Sequence, residues 1–379
     1  MKSFPEIIRG IFLCEVDVTD REYMKKALRL AEKGEGRTSP NPCVGAVIVK
    51  DGRIIGSGFH ERFGGPHAER NALASCTEDP RGATMYVTLE PCRHFGKQPP
   101  CTDAVIGAGI AKVVIGSSDP NPAVSGKGVK ALSDSGIEVV EGVLKDECDR
   151  LNEPFFHYIT TGKPFVVMKY AMTLDGKIAA ARGEKTRITG DAALRHVHSL
   201  RNKYSAIAVG VGTVISDDPM LTCRIKNCVD PVRVVCDTRL RTPLTSNIVK
   251  TANKVRTVIA TCSDDMRAIS ELERSSVEVW KTGERDGRVD LVEFTERLGK
   301  AGIDSLIIEG GGTLNRSALA CGIVDKVQAY ISPKLFGGGN APTPVDGELL
   351  RAVELENTVV KRLGGDFLLE GHVKKCLRA

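Results

Sequence analysis

Three short stretches decide how this chain folds: Gly64-Gly-Pro-His-Ala-Glu69, Val87-Thr-Leu-Glu-Pro-Cys92 and Pro99-Pro-Cys101. The middle one ends an apolar, β-branched run at a proline, so residues 85–89 read as a strand that runs into a loop. Helical signals flank it, one opening near His67 and one over 101–108. On a regular helix, residues two apart point away from each other. For His67 and Glu69 to face one site they must occupy the irregular first turn, a place that Pro66 suits.

Working outward, Thr19-Asp-Arg-Glu22 has capping-box spacing and opens a helix with Met24, Ala27, Leu28 and Ala31 on one face, ended by Gly34. The loop Ser39-Pro-Asn-Pro42 leads to a hairpin of strands 44–49 and 54–58 around Asp51-Gly52. Strand, helix and strand follow at 112–116, after Gly128, and at 137–140. A helix over 151–161 is broken by Gly162-Lys-Pro164, which sets the expected boundary between two domains. A second alternating series begins at 165–170 and continues with a helix over 191–202. Strands are expected at 206–209, 232–236, 257–260 and 305–309, the last entering Gly310-Gly-Gly312. Such alternation predicts α/β domains, each a largely parallel sheet with helices on both faces.

Length and composition agree with this division. At 379 residues the chain exceeds one average core, and 41% hydrophobic with 27% charged is ordinary globular composition. No apolar run reaches the eighteen residues of a membrane span, and residues 1–18 lack a signal-peptide cleavage pattern, so they read as a leader. Twelve scattered cysteines without a secretory signal point to the reducing cytosol. The first 162 residues carry a net charge of −2 and the remainder +7, a balance suited to a phosphorylated small ligand. No Lys/Arg cluster interleaved with aromatics suggests a nucleic-acid partner.

The chemistry is carried by one imidazole and two thiols. His67, Cys92 and Cys101 can supply three zinc ligands and leave a fourth position for water. Zinc lowers the pKa of that water, and a carboxylate outside the coordination sphere, Glu69, can take its proton and pass it to a departing amine. The competing reading is a closed structural zinc with His94 as fourth ligand, in a nucleotide-binding or interaction protein.

The stretch 39–58, Gly64-Gly-Pro-His-Ala-Glu69, the run from Val87 to Cys101 with eight residues between its cysteines, and Asp119-Pro-Asn-Pro122 together resemble the bifunctional deaminase/reductase family of riboflavin biosynthesis. The resemblance extends from about residue 20 to the C-terminus. It implies a cytidine-deaminase-like three-layer domain over 19–162, followed by a dihydrofolate-reductase-like α/β domain over 163–379. The first would use Zn2+ to deaminate a phosphorylated pyrimidine, with Asn41, His60, His94 and Lys97 lining its pocket. The second would use NADPH to reduce the ribosyl group to ribityl. Its marks are Lys169-Tyr-Ala-Met-Thr-Leu-Asp-Gly-Lys177, Val211-Gly-Thr213 with Asp217-Asp-Pro219, Leu221-Thr-Cys-Arg224 and Ile308-Glu-Gly-Gly-Gly-Thr313. By resemblance, Ala171, Thr213, Asp217, Gly311, Gly312, Thr313, Leu314, Asn315, Arg316 and Ser317 contact NADPH. Arg201, Leu221, Arg224 and Glu309 contact substrate, and Lys169 and Asp175 flank the hydride site. The family also suggests a homo-oligomer. One segment departs from it: Lys185-Thr-Arg187-Ile-Thr189 stands where the family has Ser-x-Trp-Ile-Thr, so Arg187 replaces an aromatic contact with a charge suited to a cofactor phosphate. That departure motivates an alternative in which only the deaminase works.

Overall fold

The computed structural model describes residues 18–93, 95, 99–121, 124–184 and 186–374. Contacts divide the described residues into two units, 18–34 with 43–151 and 35–42 with 152–374. The sequence reading put the break at Gly162. The expected 151–161 helix is present as Glu153–Thr161, and a further helix, Lys145–Leu151, precedes it across buried Asn152. Pro154, which cannot donate within a helix, sits in the first turn of the second.

The first unit is a five-stranded sheet of β1 (Gly45–Lys50), β2 (Arg53–Phe59), β3 (Thr84–Leu89), β4 (Lys112–Ser117) and β5 (Glu138–Glu141). Their order is β2-β1-β3-β4-β5, with β1 antiparallel to both neighbours and β3, β4 and β5 parallel. Alternate residues enter different layers. Ala46, Ile48, Met85 and Val87 join Ala68 and Ala72 on one face, while Val47, Val49 and Tyr86 join Met24 and Ala27 on the other. A strand buried on both sides needs a nearly continuous apolar run, which β1 and β3 have. The helix Val18–Ala31 covers the second face, starting just ahead of the expected Thr19 cap. The helix Ala68–Ala74 covers the first and comes unusually close to β2. A Cβ on Gly56 would lie 2.5 Å from Ala72 O, and one on Gly58 would lie 2.4 Å from Ala72 N. These two glycines, on one face of β2, let the helix that begins at His67 settle onto the sheet.

The second unit contains β6 (Phe165–Thr173), β7 (Ala206–Gly210), β8 (Val232–Cys236), β9 (Thr257–Thr261), β10 (Glu278–Lys281), a ribbon of β11 (Glu284–Arg285) and β12 (Arg288–Val289), β13 (Ser305–Ile308), β14 (Lys326–Ser332), β15 (Leu355–Leu363) and β16 (Asp366–Val373). Its large sheet runs β10-β9-β8-β7-β13-β6-β14-β16-β15. Pairing is parallel from β10 through β14 and antiparallel from β14 to β15. Val167, Ile207, Val235 and Ile307 pack on one face, and Met168, Ala208, Val234 and Ile308 on the other. The antiparallel edge was not foreseen. The middle of β15, where Val359 and Val360 sit among charged residues, is exposed, so its sequence lacks the apolar alternation of a half-buried strand. Among the described residues no helix is long and apolar enough to cross a membrane.

Candidate metal centre and ligand cavity

In the first unit the three proposed metal ligands converge. His67 is the N-cap of helix Ala68–Ala74, with φ −75° and ψ 165°. That extended backbone turns its ring away from the helical direction and toward the loop after β3. Its Nδ1 lies 3.6 Å from Cys92 Sγ and 3.3 Å from Cys101 Sγ, and all three ligand atoms fall within 4.8 Å of one another. Tetrahedral zinc with Zn–S of ~2.3 Å and Zn–N of ~2.05 Å separates N from S by about 3.6 Å. The residues therefore fit a zinc ion in both spacing and donor chemistry. Among the described residues no fourth ligand joins this group. His94 and Lys97 lie outside the described residues, as does Lys185.

The ligands are held by their own elements. Arg70, one turn along the helix, donates to Pro99 O and Pro100 O at 3.2 Å each, fastening the segment that leads into Cys101 at the start of helix Cys101–Gly107. The backbone N–H of Cys101 in turn donates to Cys92 Sγ at 3.4 Å. A hydrogen bond from the Cys101 thiol, with the His67 ring beside it, draws the Cys92 thiol down to about 4. Cys92 is thus the thiolate of the pair, the form that binds metal, while the hydrogen bond to Cys92 and burial hold the Cys101 thiol well above its ordinary value. Glu69, 3% exposed, stands next to the cluster, and burial pushes its carboxyl up to about 7. His60, also buried, meets the His67 ring edge-on at 5.3 Å between centroids, its Nδ1 3.0 Å from Pro66 O. Asn41 falls in the 35–42 segment that packs with the second unit.

Sequence reasoning missed the part played by Glu90. Its buried carboxylate accepts the backbone N–H groups of Gly126 (3.1 Å) and Gly128 (2.9 Å), with longer bonds from Asp119 and Val129. It thereby ties the loop after β4 to the Pro91-Cys92 turn. The signal was present, since an acid just before Pro-Cys at a strand end must find donors if it is buried.

In the second unit a cavity of about 860 Å³ opens along the C-terminal ends of β6, β13, β7 and β8. Open parallel sheets bind ligands on this edge. Of the expected residues, Lys169, Ala171, Thr213, Asp217, Glu309, Gly311, Gly312, Thr313, Leu314 and Ser317 line it. Gly311 caps helix Gly312–Ala320, so the glycine run after β13 does open a helix.

At one end Glu309 sits between two cations. Arg201 donates Nε and Nη2 to its two oxygens at 2.8 and 2.9 Å, and Lys169 Nζ lies 3.5 Å away. Burial would raise the Glu309 pKa, but Lys169 and Arg201 override it and hold the carboxyl at about 2. Arg201 Nη1 also donates to Thr222 O at 3.1 Å.

Other expected contacts stand outside the cavity lining. The Asp175 carboxylate is taken up by Thr173 Oγ1 and by the N–H groups of Phe336 (3.2 Å) and Gly337 (2.7 Å), which hold its pKa at about 2. It anchors the 335–338 loop. Arg187 pairs with Asp191 and donates to Thr189 O. The Leu221 side chain is core, in a left-handed backbone turn with φ 52°. Asn315 is buried with its amide donating to Pro344 O, while Arg224 is exposed. Arg316, one residue on, is half-buried and also lies outside the lining.

Comparison with known proteins was consistent with both sites. Residues 17–117 match the cytidine and deoxycytidylate deaminase zinc-binding region, and residues 164–369 match the RibD C-terminal domain. The riboflavin biosynthesis protein RibD of Actinobacillus pleuropneumoniae is 54% identical over 93% of this chain and 95% of its own length. The Aquifex aeolicus RibD is 42% identical over 92% and 97%. A crystal structure from Thermotoga maritima, described as a diaminohydroxyphosphoribosylaminopyrimidine deaminase/5-amino-6-(5-phosphoribosylamino)uracil reductase, superposes with a TM-score of 0.82 at 42% identity, covering 94% of this chain and 99% of that one. Acinetobacter baumannii RibD superposes with a TM-score of 0.81 at 36% identity, covering 94% and 99%. With near-complete coverage in both directions and a zinc-ligand triad in place, the chain belongs to the RibD family of riboflavin biosynthesis, a bifunctional enzyme that joins a zinc-dependent deaminase domain to a reductase domain.

Proposed function

We propose that the first unit removes an exocyclic amine from 2,5-diamino-6-(5-phosphoribosylamino)pyrimidin-4-one, and that the second then reduces the ribosyl group of the product with hydride from NADPH. The observation that carries this reading is the convergence of His67, Cys92 and Cys101 beside buried Glu69. In it His67, Cys92 and Cys101 hold zinc, which when bound supplies a Lewis acid that makes its water acidic. Glu69 takes one proton from the attacking water and gives it to the ring nitrogen, and then carries the second, from the hydroxyl left on the ring carbon, to the amine, which departs as ammonia. His60, packed on His67, keeps that imidazole in orientation and borders the substrate, with Asn41, His94 and Lys97 completing the pocket as the family implies. In the reductase, Glu309 holds the ammonium of Lys169 at the edge of the cavity where the ribosyl carbon must sit, and Arg201 fixes Glu309. Exposed Arg224 is the guanidinium open to the substrate phosphate. Ala171, Thr213, Asp217 and the turn from Gly311 to Ser317 receive NADPH. The protein works in the cytosol as a homo-oligomer; family membership and the exposed apolar Val359 and Val360 on edge strand β15 support association.

The test is metal analysis of the purified full chain, paired with assays of ammonia release and NADPH oxidation on the diamino substrate. One zinc per chain and both signals are expected. Glu69→Gln should keep the zinc and lose ammonia release by ~10²–10⁴-fold. Full activity in that variant would exclude Glu69 as the proton carrier.

A further inference from the structure

The loop that follows Leu221 carries two thiols that neither site uses. It runs outward from buried Cys223 and returns through Cys228 to Asp230. The Cys223 N–H donates to Asp230 Oδ1 at 2.8 Å, which closes the base of the loop. Near its tip Asn227 takes the left-handed conformation, with φ 59°, and turns the chain back toward its start. The returning arm is held from two sides: Asn227 O accepts Arg37 Nη2 at 2.7 Å, and Val229 N–H donates to Asn202 Oδ1 at 3.0 Å. Folded this way, the loop brings the Cys223 and Cys228 thiols together as hydrogen-bonding neighbours, both of them free.

Their surroundings give the two sulfurs different roles. Cys223 Sγ donates to His198 O at 3.2 Å. Burial, and then the Cys228 thiol beside it, push Cys223 up to about 11, so at neutral pH it is the slower nucleophile. Cys228 is only partly buried and stands open to a small reactant. What the pair can control lies on either side of Cys223. Thr222 O accepts Arg201, and Arg224 follows directly. An S–S bond of ~2.05 Å in place of two thiols draws the side chains together and removes the S–H that Cys223 gives to His198 O. The backbone flanking Cys223 must then shift, and the Arg224 guanidinium shifts with it.

We infer that Cys223 and Cys228 form a reversible disulfide that weakens the hold of the second unit on its phosphorylated substrate. The inference rests on the reductase reading above, through Arg224, and adds a redox control to it. The oxidant is a low-molecular-weight disulfide. The Cys228 thiolate attacks one of its sulfurs, forming a mixed disulfide and expelling one small thiolate, which takes up the proton Cys228 gave up. Cys223 then loses its proton, attacks Cys228 Sγ and expels the second small thiolate, which is protonated in turn. Two protein thiols are thereby oxidised to one disulfide, and one small disulfide is reduced to two thiols. Four residues separate the cysteines, so the closed ring gains little loop-closure stabilisation and excess thiol reopens it. In a reducing cytosol such bonds are transient and serve redox sensing.

The test uses the zinc-loaded full chain equilibrated in graded mixtures of glutathione and glutathione disulfide. Remaining thiols are trapped by alkylation, and peptide mass spectrometry locates any link. NADPH oxidation and ammonia release are measured on the same samples. In oxidising mixtures Cys223 and Cys228 should be joined. The KM for the reductase substrate should rise by about tenfold with kcat changed by less than about twofold, as when one charge-assisted phosphate contact is misaligned. Dithiothreitol should restore both. Cys228→Ser should match reduced wild type and keep its KM on oxidation, and Cys223→Ser should stop at the mixed disulfide on Cys228. Unchanged ammonia release excludes damage to Cys92 and Cys101. Cys228 left unlinked after oxidation, or linked with an unchanged KM, would overturn the inference and leave the reductase reading intact. If the reduced chain oxidised no NADPH, the reductase reading itself would fall and take this inference with it.

Discussion

Replacing Glu309 by Gln should cost the second unit about 3 kcal/mol of stability. The variant keeps the shape and removes the charge, leaving Arg201 and Lys169 side chains only 14% and 13% exposed with no counter-ion between them. The depression of the Glu309 carboxyl from 4.5 to about 2 converts, at ~1.4 kcal/mol per pKa unit, to roughly 3 kcal/mol of net stabilisation of its charged form. Breaking one partner out of a buried ion network typically costs ~3–5 kcal/mol, so the two estimates agree. The sign with pH follows from the depressed value. The contribution is complete above the ordinary carboxylate pKa and is lost as pH falls through about 2, so Glu309→Gln should flatten the acid limb of wild-type stability. Urea unfolding read from Trp280 reports on this unit alone, because Trp280 is the only tryptophan and belongs to it. Ammonia release by the first unit serves as an internal control and should be unchanged. A variant within about 0.5 kcal/mol of wild type, the range of ordinary surface substitutions, would refute the reasoning.

Gly58→Ala places a methyl 2.4 Å from Ala72 N and should destabilise the first unit by ~1–3 kcal/mol while lowering zinc content, read by metal analysis after dialysis. Asp175→Asn should loosen the 335–338 loop and raise the KM for substrate while largely sparing kcat; a kcat collapse like that of Lys169→Ala would instead return Asp175 to the chemistry. Burial lowers the pKa of His196, whose Nδ1 lies 2.5 Å from Tyr330 Oη, with Glu370, Lys361 and Lys203 as its charged neighbours. The folded state therefore favours the neutral ring, and stability is full above the ordinary histidine pKa and falls as pH drops below it. The urea midpoint should decrease from pH 7.5 to 5, and less so in His196→Gln. Cys92→Ser should abolish both zinc binding and ammonia release while leaving NADPH binding intact.

The sequence was most legible where chemistry and local geometry made the same demand. An imidazole and a carboxylate two residues apart could meet one ion only at an irregular helix start, and His67 is such an N-cap. The buried parallel strands were legible too, because burial on both faces leaves a continuous apolar signature in residues 165–168 and 206–209. What escaped depended on partners distant in the chain. Nothing near Arg201 announces that Glu309, 108 residues on, takes its fork. Nothing in the sequence around Asp175, in a turn before Gly176, announces that the 335–338 loop folds onto it. Strands β15 and β16 were missed because the exposed middle of edge strand β15 carries little periodicity.

The position of β13 has a consequence for how the second unit is made. It lies between β6 and β7, yet it is synthesised about a hundred residues after both. Until residue 308 leaves the ribosome, each of those two strands presents an unsatisfied apolar border, the kind of surface that invites pairing between nascent chains. Prematurely terminated products ending before β13 should therefore accumulate as insoluble material, whereas those ending within β15 keep the seven parallel strands and stay in solution.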